Sequence, residues 1–178
     1  MKEYRGRIAG IQASRGGVPK LPLESAEVTV EGLSVDRQAD RKAHGGPLRA
    51  LCLYSTEVIA KLAAEGHDIA PGHLGENITI EGIDWTQVKP GARMKLGAEV
   101  ECEITTFTQP CWKNAHWFSD GDISRILQEH NPGSSRVYAR VLATGNIGTG
   151  DDVVLTVEAA SERIGRQQPR TFRWAPPA

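Results

Sequence analysis

Three stretches of this chain carry residue types that can do chemistry. The first is TQPCWK, where Pro110, Cys111, Trp112 and Lys113 follow the alternating segment EVECEITTF. Proline fixes its own φ and keeps Gln109 extended, so the backbone entering Cys111 is stiff and can hold the sulfur in one place. Lys113 nearby favours the thiolate, the reactive and metal-binding form. A half-buried thiol without a role is the competing reading, and the residues alone leave both open. The second stretch, VDRQADRKAHGGPLRALCLY, gathers Asp36, Arg37, Asp40, Arg41, Lys42, His44 and Arg49 around the pair Gly45–Gly46. Adjacent glycines let backbone N–H groups converge on an anion, and Arg49 adds a planar fork for phosphate. A solvated, charged hairpin is the plainer alternative. The third stretch, PGHLGENITIEG, places Glu76 and Asn77 after a glycine-flanked turn. At a barrel mouth these two can bind the edge of a heterocycle through acceptors and amide donors, or simply satisfy the turn backbone.

The remaining polar residues form no recognised catalytic pattern. His44, His67, His73, His116 and His130 lack HExxH-like spacing, and there is no GxGxxG, Walker loop or GxSxG. Cys52, Cys102 and Cys111 are too far apart for a zinc knuckle or a CxxC centre, and three thiols cannot all pair internally. In AEVECEIT, Val100, Cys102 and Ile104 share one strand face while glutamates take the other, so Cys102 reads as core. Cys52, inside the apolar run RALCLYS, reads the same way.

The elements that must position these residues are mostly strands. GRIAGIQ, AEVTVEG, ENITIEG, ARMKLG, RVYARVLAT and DDVVLTVEA join the two cysteine-bearing segments as strand candidates. STEVIAKLAAEG reads as a helix capped by Ser55, with Val58, Ile59, Leu62 and Ala63 as its apolar stripe and Gly66 as its end. A second helix is expected in DGDISRILQEHNPG on Ile123, Ile126 and Leu127. So many short strands predict a mainly β fold, a closed or nearly closed barrel with peripheral helices. Residues 1–158 form one domain in this reading. Residues 159–178, with Arg163, Arg166, Arg170 and Arg173, form a tail on the surface or on a partner subunit, leaving a homodimer open.

Charge narrows the function. The 21 basic and 22 acidic residues give a net charge of -1, so no global field draws the chain to nucleic acid or an anionic membrane. MKEYRGRIAG has no apolar region behind its charges and no run approaches a membrane span, so a cytoplasmic location is expected.

Taken in order, HGG with upstream DRQAD, then GEN, then PCWK after a later strand resemble the MOSC domain family over roughly residues 5 to 158. These are stand-alone relatives of the C-terminal domain of molybdenum-cofactor sulfurases. The resemblance implies a MOSC-type β-barrel, a pterin-bound molybdenum cofactor in a basic cleft, and Cys111 as molybdenum ligand or sulfur carrier. It implies contacts to the cofactor from His44, Gly45, Gly46, Arg49, Glu76, Asn77 and Lys113. Leu74 stands where many relatives have phenylalanine, and Phe107-Thr108-Gln109 replaces a proline-arginine version of the loop before PC. The implied activity is reduction of N-hydroxylated bases or amidoximes to amines. Because the chain shows no flavin, haem or iron–sulfur motif, an external reductase supplies the two electrons. A persulfide carrier using Cys111 and a non-catalytic cofactor-binding module are the alternatives.

Overall fold

The computed structural model describes residues 1–37 and 46–158, so His44, Gly45 and the arginine-containing tail lie outside the described residues. The strands are β1 (Lys2–Ala13), β2 (Leu21–Leu23), β3 (Ser25–Thr29), β4 (Gly32–Leu33), β5 (Leu51–Ser55), β6 (Ile78–Glu81), β7 (Arg93–Leu96), β8 (Val100–Phe107), β9 (Val137–Ala143), β10 (Gly145–Gly148) and β11 (Asp152–Val157). Between β5 and β6 lies the helix α1 (Thr56–Ala64).

Seven strands close on themselves in the order β11-β7-β8-β9-β5-β6-β1, and β1 pairs back onto β11 from Lys2↔Val157 to Arg7↔Asp152. Closure removes the exposed edges that alternating, half-buried strands would otherwise present. β2 extends the sheet beside the end of β1, and β10, β3 and β4 form a small second sheet. Within the barrel only β5 and β6 run parallel. A parallel pair needs a crossover, and α1 supplies it.

The alternation read in the sequence becomes inward packing. Ile8, Ile11, Met94, Leu96, Val100, Cys102, Ile104, Val153 and Leu155 are buried, while intervening charges such as Arg93, Lys95 and Glu101 are exposed. All five residues of β5 are buried, which explains why this strand reads as an unbroken apolar run. Register sets one row across five strands: Ile11 faces Ile78, Ile78 faces Leu53, Leu53 faces Val137 and Val137 faces Phe107. The chain leaves this end of the barrel at several points just beyond the row.

Helix α1 has the expected cap, the Ser55 hydroxyl accepting the Val58 N–H at 3.3 Å. Its buried stripe is narrower than expected: Ile59 and Leu62 are buried, Val58 is half-buried and Ala63 is exposed. The second expected helix is not formed. A single 3-10 turn spans Ile123–Ile126, and Leu127 leaves helical geometry at φ -85°, ψ 125°. Its apolar stripe is too short to offset the cost of helix nucleation, and Ile126 alone of the three is fully buried. Among the described residues, no helix is long and apolar enough to cross a membrane.

Replacing Ser55 with alanine removes the cap of the β5–β6 crossover. We expect a loss of about 1 kcal/mol in chemical denaturation with the barrel retained; no loss would show that α1 is held by packing alone.

Candidate functional site

Beyond the Ile11–Ile78–Leu53–Val137–Phe107 row, the chain emerges at Ser14, Asn77, Thr108 and Arg136 around one open cleft. The cleft has a cavity volume of about 160 Å³, many times the roughly 10–15 Å³ that one water needs. It is therefore of a size for a polyatomic ligand. Ser14, Gly17, Val18, Lys20 and Arg37 form one side, and Cys52, Leu74, Gly75 and Asn77 lie on another. Gln109, Cys111, Lys113, Asn114, Arg136 and Tyr138 complete it. Among the described residues, four cations and no carboxylate line this space, although the chain as a whole is nearly neutral. Such a lining favours an anionic ligand.

The GEN wall is built by backbone constraints. Gly72 has φ +88°, and a Cβ there would collide with the Lys20 carbonyl oxygen. Glycine lets the two segments approach, and the Lys20 N–H donates to the Gly72 carbonyl at 2.9 Å. Glu76 ties the same turn, its Oε1 accepting the Gly72 N–H at 2.6 Å. It is fully buried, its second oxygen has no hydrogen-bond partner among the described residues, and desolvation pushes its carboxyl above the ordinary carboxylate range despite the opposing Gly72 hydrogen bond and the charge of Arg136. Asn77 joins three segments. Its carbonyl accepts the Cys52 N–H at 3.2 Å, and its amide donates to the Gln12 carbonyl at 3.3 Å and to Asp36 Oδ2 at 2.9 Å. Asp36 in turn accepts the Ser14 N–H at 2.8 Å and forms a buried ion pair with Lys20.

Cys111 stands where β8 has ended and a 3-10 turn, Trp112–Trp117, begins. It is half-buried and extended, at φ -107°, ψ 163°. The buried Asn114 side chain folds back on it: Oδ1 accepts the Cys111 N–H at 3.4 Å and lies 3.8 Å from the sulfur. Two histidines from the α1–β6 connection hold the turn. His67 Nδ1 accepts the Ser119 N–H at 3.2 Å, and the His73 ring stacks on Trp117 with centroids 4.0 Å apart. Cys52 and Cys102 are buried in the barrel, as the strand patterns predict. Burial pushes the Cys52 thiol up to about 11 and that of Cys102 to about 12. Cys52 nevertheless also borders the cleft.

The expected site residues thus fall into groups. Cys111, Lys113 and Asn77 line the cleft, whereas Glu76 stands behind its wall. Arg49 does not line it, but its guanidinium lies 5.5 Å from the ring centroid of Tyr138, which does. Gly46, at φ +95°, opens the Pro47–Arg49 turn and is not among the lining residues. Sequence reasoning missed Lys20, Asn114, Arg136 and Tyr138 as cleft residues. Arg136 and Tyr138 read only as strand positions in RVYARVLAT, and Lys20 stands outside all three polar stretches. Arg37 was visible, though without distinction from the charges around it.

Among the described residues, no three His, Cys, Asp or Glu side chains converge on a point that could hold an ion. A metal beside Cys111 would therefore need ligands from a cofactor of its own. A cation-lined cleft of this size with one accessible thiol suits such a group, and comparison with known proteins points the same way. A family model described as MOSC domain matches residues 40–154.

The chain belongs to the MOSC domain family.

This is a family associated with molybdenum-cofactor binding. The chain is 28% identical to Protein YiiM of Escherichia coli over 98% of its own length and 78% of that protein. It is 30% identical to protein YflK of Bacillus subtilis, an uncharacterized protein, over 78% of its length and 62% of the relative. The crystal structure of YuaD from Bacillus subtilis superposes with a TM-score of 0.69 at 17% identity, covering 88% of this chain and 99% of the other. YiiM from Escherichia coli superposes at 0.65 and 23%, covering 87% and 71%. The β-barrel inferred from strand patterning, and the MOSC type that the motif resemblance implied, are thereby established.

Two outcomes follow for the isolated chain. Brief alkylation should modify Cys111 before Cys52 or Cys102, because Cys111 is half-exposed, whereas the other two thiols are buried and held protonated by that burial. Peptide mapping gives the order, and early modification of Cys102 would contradict the barrel register. Glu76→Gln retains an acceptor for Gly72 while removing a buried ionisable group. A carboxyl whose pKa is raised on folding favours the native state at low pH and loses that contribution as pH rises from about 4.5 through the folded value. The melting temperature of Glu76→Gln should therefore gain on the parent as pH increases from 5 to 8; parallel profiles would show that Glu76 titrates as in the unfolded chain.

Proposed function

We propose that this MOSC protein binds the molybdenum cofactor in the cationic cleft and reduces N-hydroxylated compounds, with Cys111 as the protein's ligand to the metal. The observation carrying this reading is the partly exposed Cys111 on a cleft lined, among the described residues, by four cations and no carboxylate. When bound, the cofactor supplies the two-electron redox centre, and its anionic groups suit the cationic lining. Cys111 offers a soft thiolate donor of the kind that molybdenum accepts. Asn114 orients that residue through its backbone N–H, and Pro110 stiffens the approach. Asn77, Gln109 and Asn114 offer amide donors and acceptors for a heterocycle edge. Lys113 and Arg37, both exposed and lining the cleft, attract anionic groups to its mouth.

Reduction of an N-hydroxylamine to an amine and water consumes two electrons and two protons. An external reductase is the proposed electron source.

Cys111→Ser and Cys111→Ala test the reading. Both should abolish reductase-coupled turnover while the melting temperature stays nearly unchanged, since a partly exposed site away from the strand faces costs roughly 0.5 kcal/mol or less. Pterin content should fall much less than activity, because the cations and amides remain. Full turnover in the alanine variant would eliminate the ligand role. Labile sulfane sulfur on the parent Cys111, with neither molybdenum nor pterin in protein from a cofactor-producing host, would instead support sulfur transfer.

A further inference from the structure

His67 is a buried imidazole with one nitrogen committed and the other unanswered. Its side chain is only 3% exposed. Nδ1 accepts the Ser119 N–H at 3.2 Å, so the proton of the neutral ring sits on Nε2. Nε2 is buried and has no hydrogen-bond partner among the described residues. The Glu65 carboxylate, just after α1, stands 3.9 Å from it, too far for a hydrogen bond but close enough to pair with a cationic ring. Lys61 lies 4.0 Å from the other Glu65 oxygen, and Arg125, itself paired with Asp120, also acts on Glu65, so both compete for that charge. His73 and His116 are engaged with the Trp117 ring, and Asp68 is exposed. The backbone of His67 is fixed, its N–H donating to the Leu62 carbonyl at 3.3 Å and its carbonyl accepting the Ile69 N–H at 2.9 Å. The ring therefore meets a change of charge in place.

We propose that His67 is a proton-operated latch on the Cys111 turn, closed when the ring is neutral and released when it is protonated. A proton taken from solvent onto Nδ1 converts the acceptor of the Ser119 N–H into a donor. Two donors cannot bond to each other, so the backbone tie is lost. The Ser119 hydroxyl, 3.1 Å from Nδ1, can accept from the new N–H, and Glu65 can close on Nε2–H. Both side chains stabilise the cationic ring while the backbone amide is freed. Ser119 lies just beyond the Trp112–Trp117 turn that begins at Cys111, so loosening its far end exposes the thiol. His73 still stacks on Trp117, which keeps the turn from detaching. The latch needs no cofactor and does not rest on the proposed function. A histidine serving only as packing would stay neutral and leave Ser119 unchanged with pH.

The test follows two quantities on the full chain, amide hydrogen exchange at Ser119 and the rate of brief alkylation at Cys111. Both are measured from about pH 8 down to about pH 5, the range in which an imidazole gains its proton. In the parent the protection of the Ser119 amide should fall about fivefold across the range, as for the loss of one hydrogen bond. His67→Asn keeps an acceptor near the Nδ1 position and cannot titrate, so its Ser119 protection should stay constant. The Cys111 alkylation rate of the parent, divided by that of His67→Asn at the same pH, should rise on acidification by a similar factor. That ratio cancels the thiol's own ionisation and any contribution from His73 or His116.

Glu65→Gln removes the counter-charge of the imidazolium at a partly exposed position, and should displace the loss of Ser119 protection to lower pH. Should His67→Asn fail to fold, this variant decides: a displaced profile supports the latch, and a profile coincident with the parent's overturns it. Protection at Ser119 that does not change with pH in the parent, or that changes equally in His67→Asn, also overturns the proposal. A fall in protection with a flat alkylation ratio would defeat the link to Cys111.

Discussion

The hydrogen bonds of the Asn77 side chain are the constraint on which the cleft depends. One buried amide serves Cys52 on β5, Gln12 on β1 and Asp36 after β4. Asp36 can then hold Ser14 and Lys20, so a single side chain connects the barrel to the segment that forms one side of the cleft. A buried amide with both ends engaged holds this geometry strongly, because each lost partner leaves a desolvated polar group. This explains how a structural residue can also border the ligand space. The distinction between wall and site has little meaning at this position.

Electrostatic character follows from how carboxylates are disposed rather than from their number. Acidic residues slightly outnumber basic ones in the chain, yet among the described residues no carboxylate lines the cleft. The charge of Asp36 is spent on Lys20, and Glu76 is buried behind the wall with its ionisation disfavoured. Exposed glutamates along β8 face away from the barrel interior. The local potential is therefore positive although the global charge is not, and only the local value bears on a ligand inside a low-dielectric cleft.

The Cys111 turn has no strand partner of its own and is held from outside. His67 secures its far end by accepting from Ser119, with its ring beside Phe118, and His73 stacks on Trp117. Both histidines come from the connection that continues into Gly72, Gly75 and Glu76. The thiol and the GEN wall are consequently braced by one segment, which couples the position of the reactive sulfur to the shape of the cleft.

The sequence by itself determined what local pattern can encode. Period-two alternation announced most barrel strands and the buried face of Cys102, a short apolar run placed Cys52 in the core, and Cys111 fell outside both patterns; the spaced HGG, GEN and PCWK motifs carried the family resemblance. Where local signals were short they failed: Ile123, Ile126 and Leu127 made too small a stripe for a helix, and GNIG, absent from the strand candidates, became β10 by pairing with β3. Only tertiary structure decided which polar residues share the cleft. Lys20 is far along the chain from Arg136 and Tyr138, which share one segment, and the fold brings them to one cleft, while Glu76 and Asn77, adjacent in the chain, take different positions: one behind the wall and one along it. Their hydrogen-bond partners fix this difference: Gly72 holds Glu76 against its own turn, whereas Cys52, Gln12 and Asp36, brought together only by the fold, hold Asn77 along the wall.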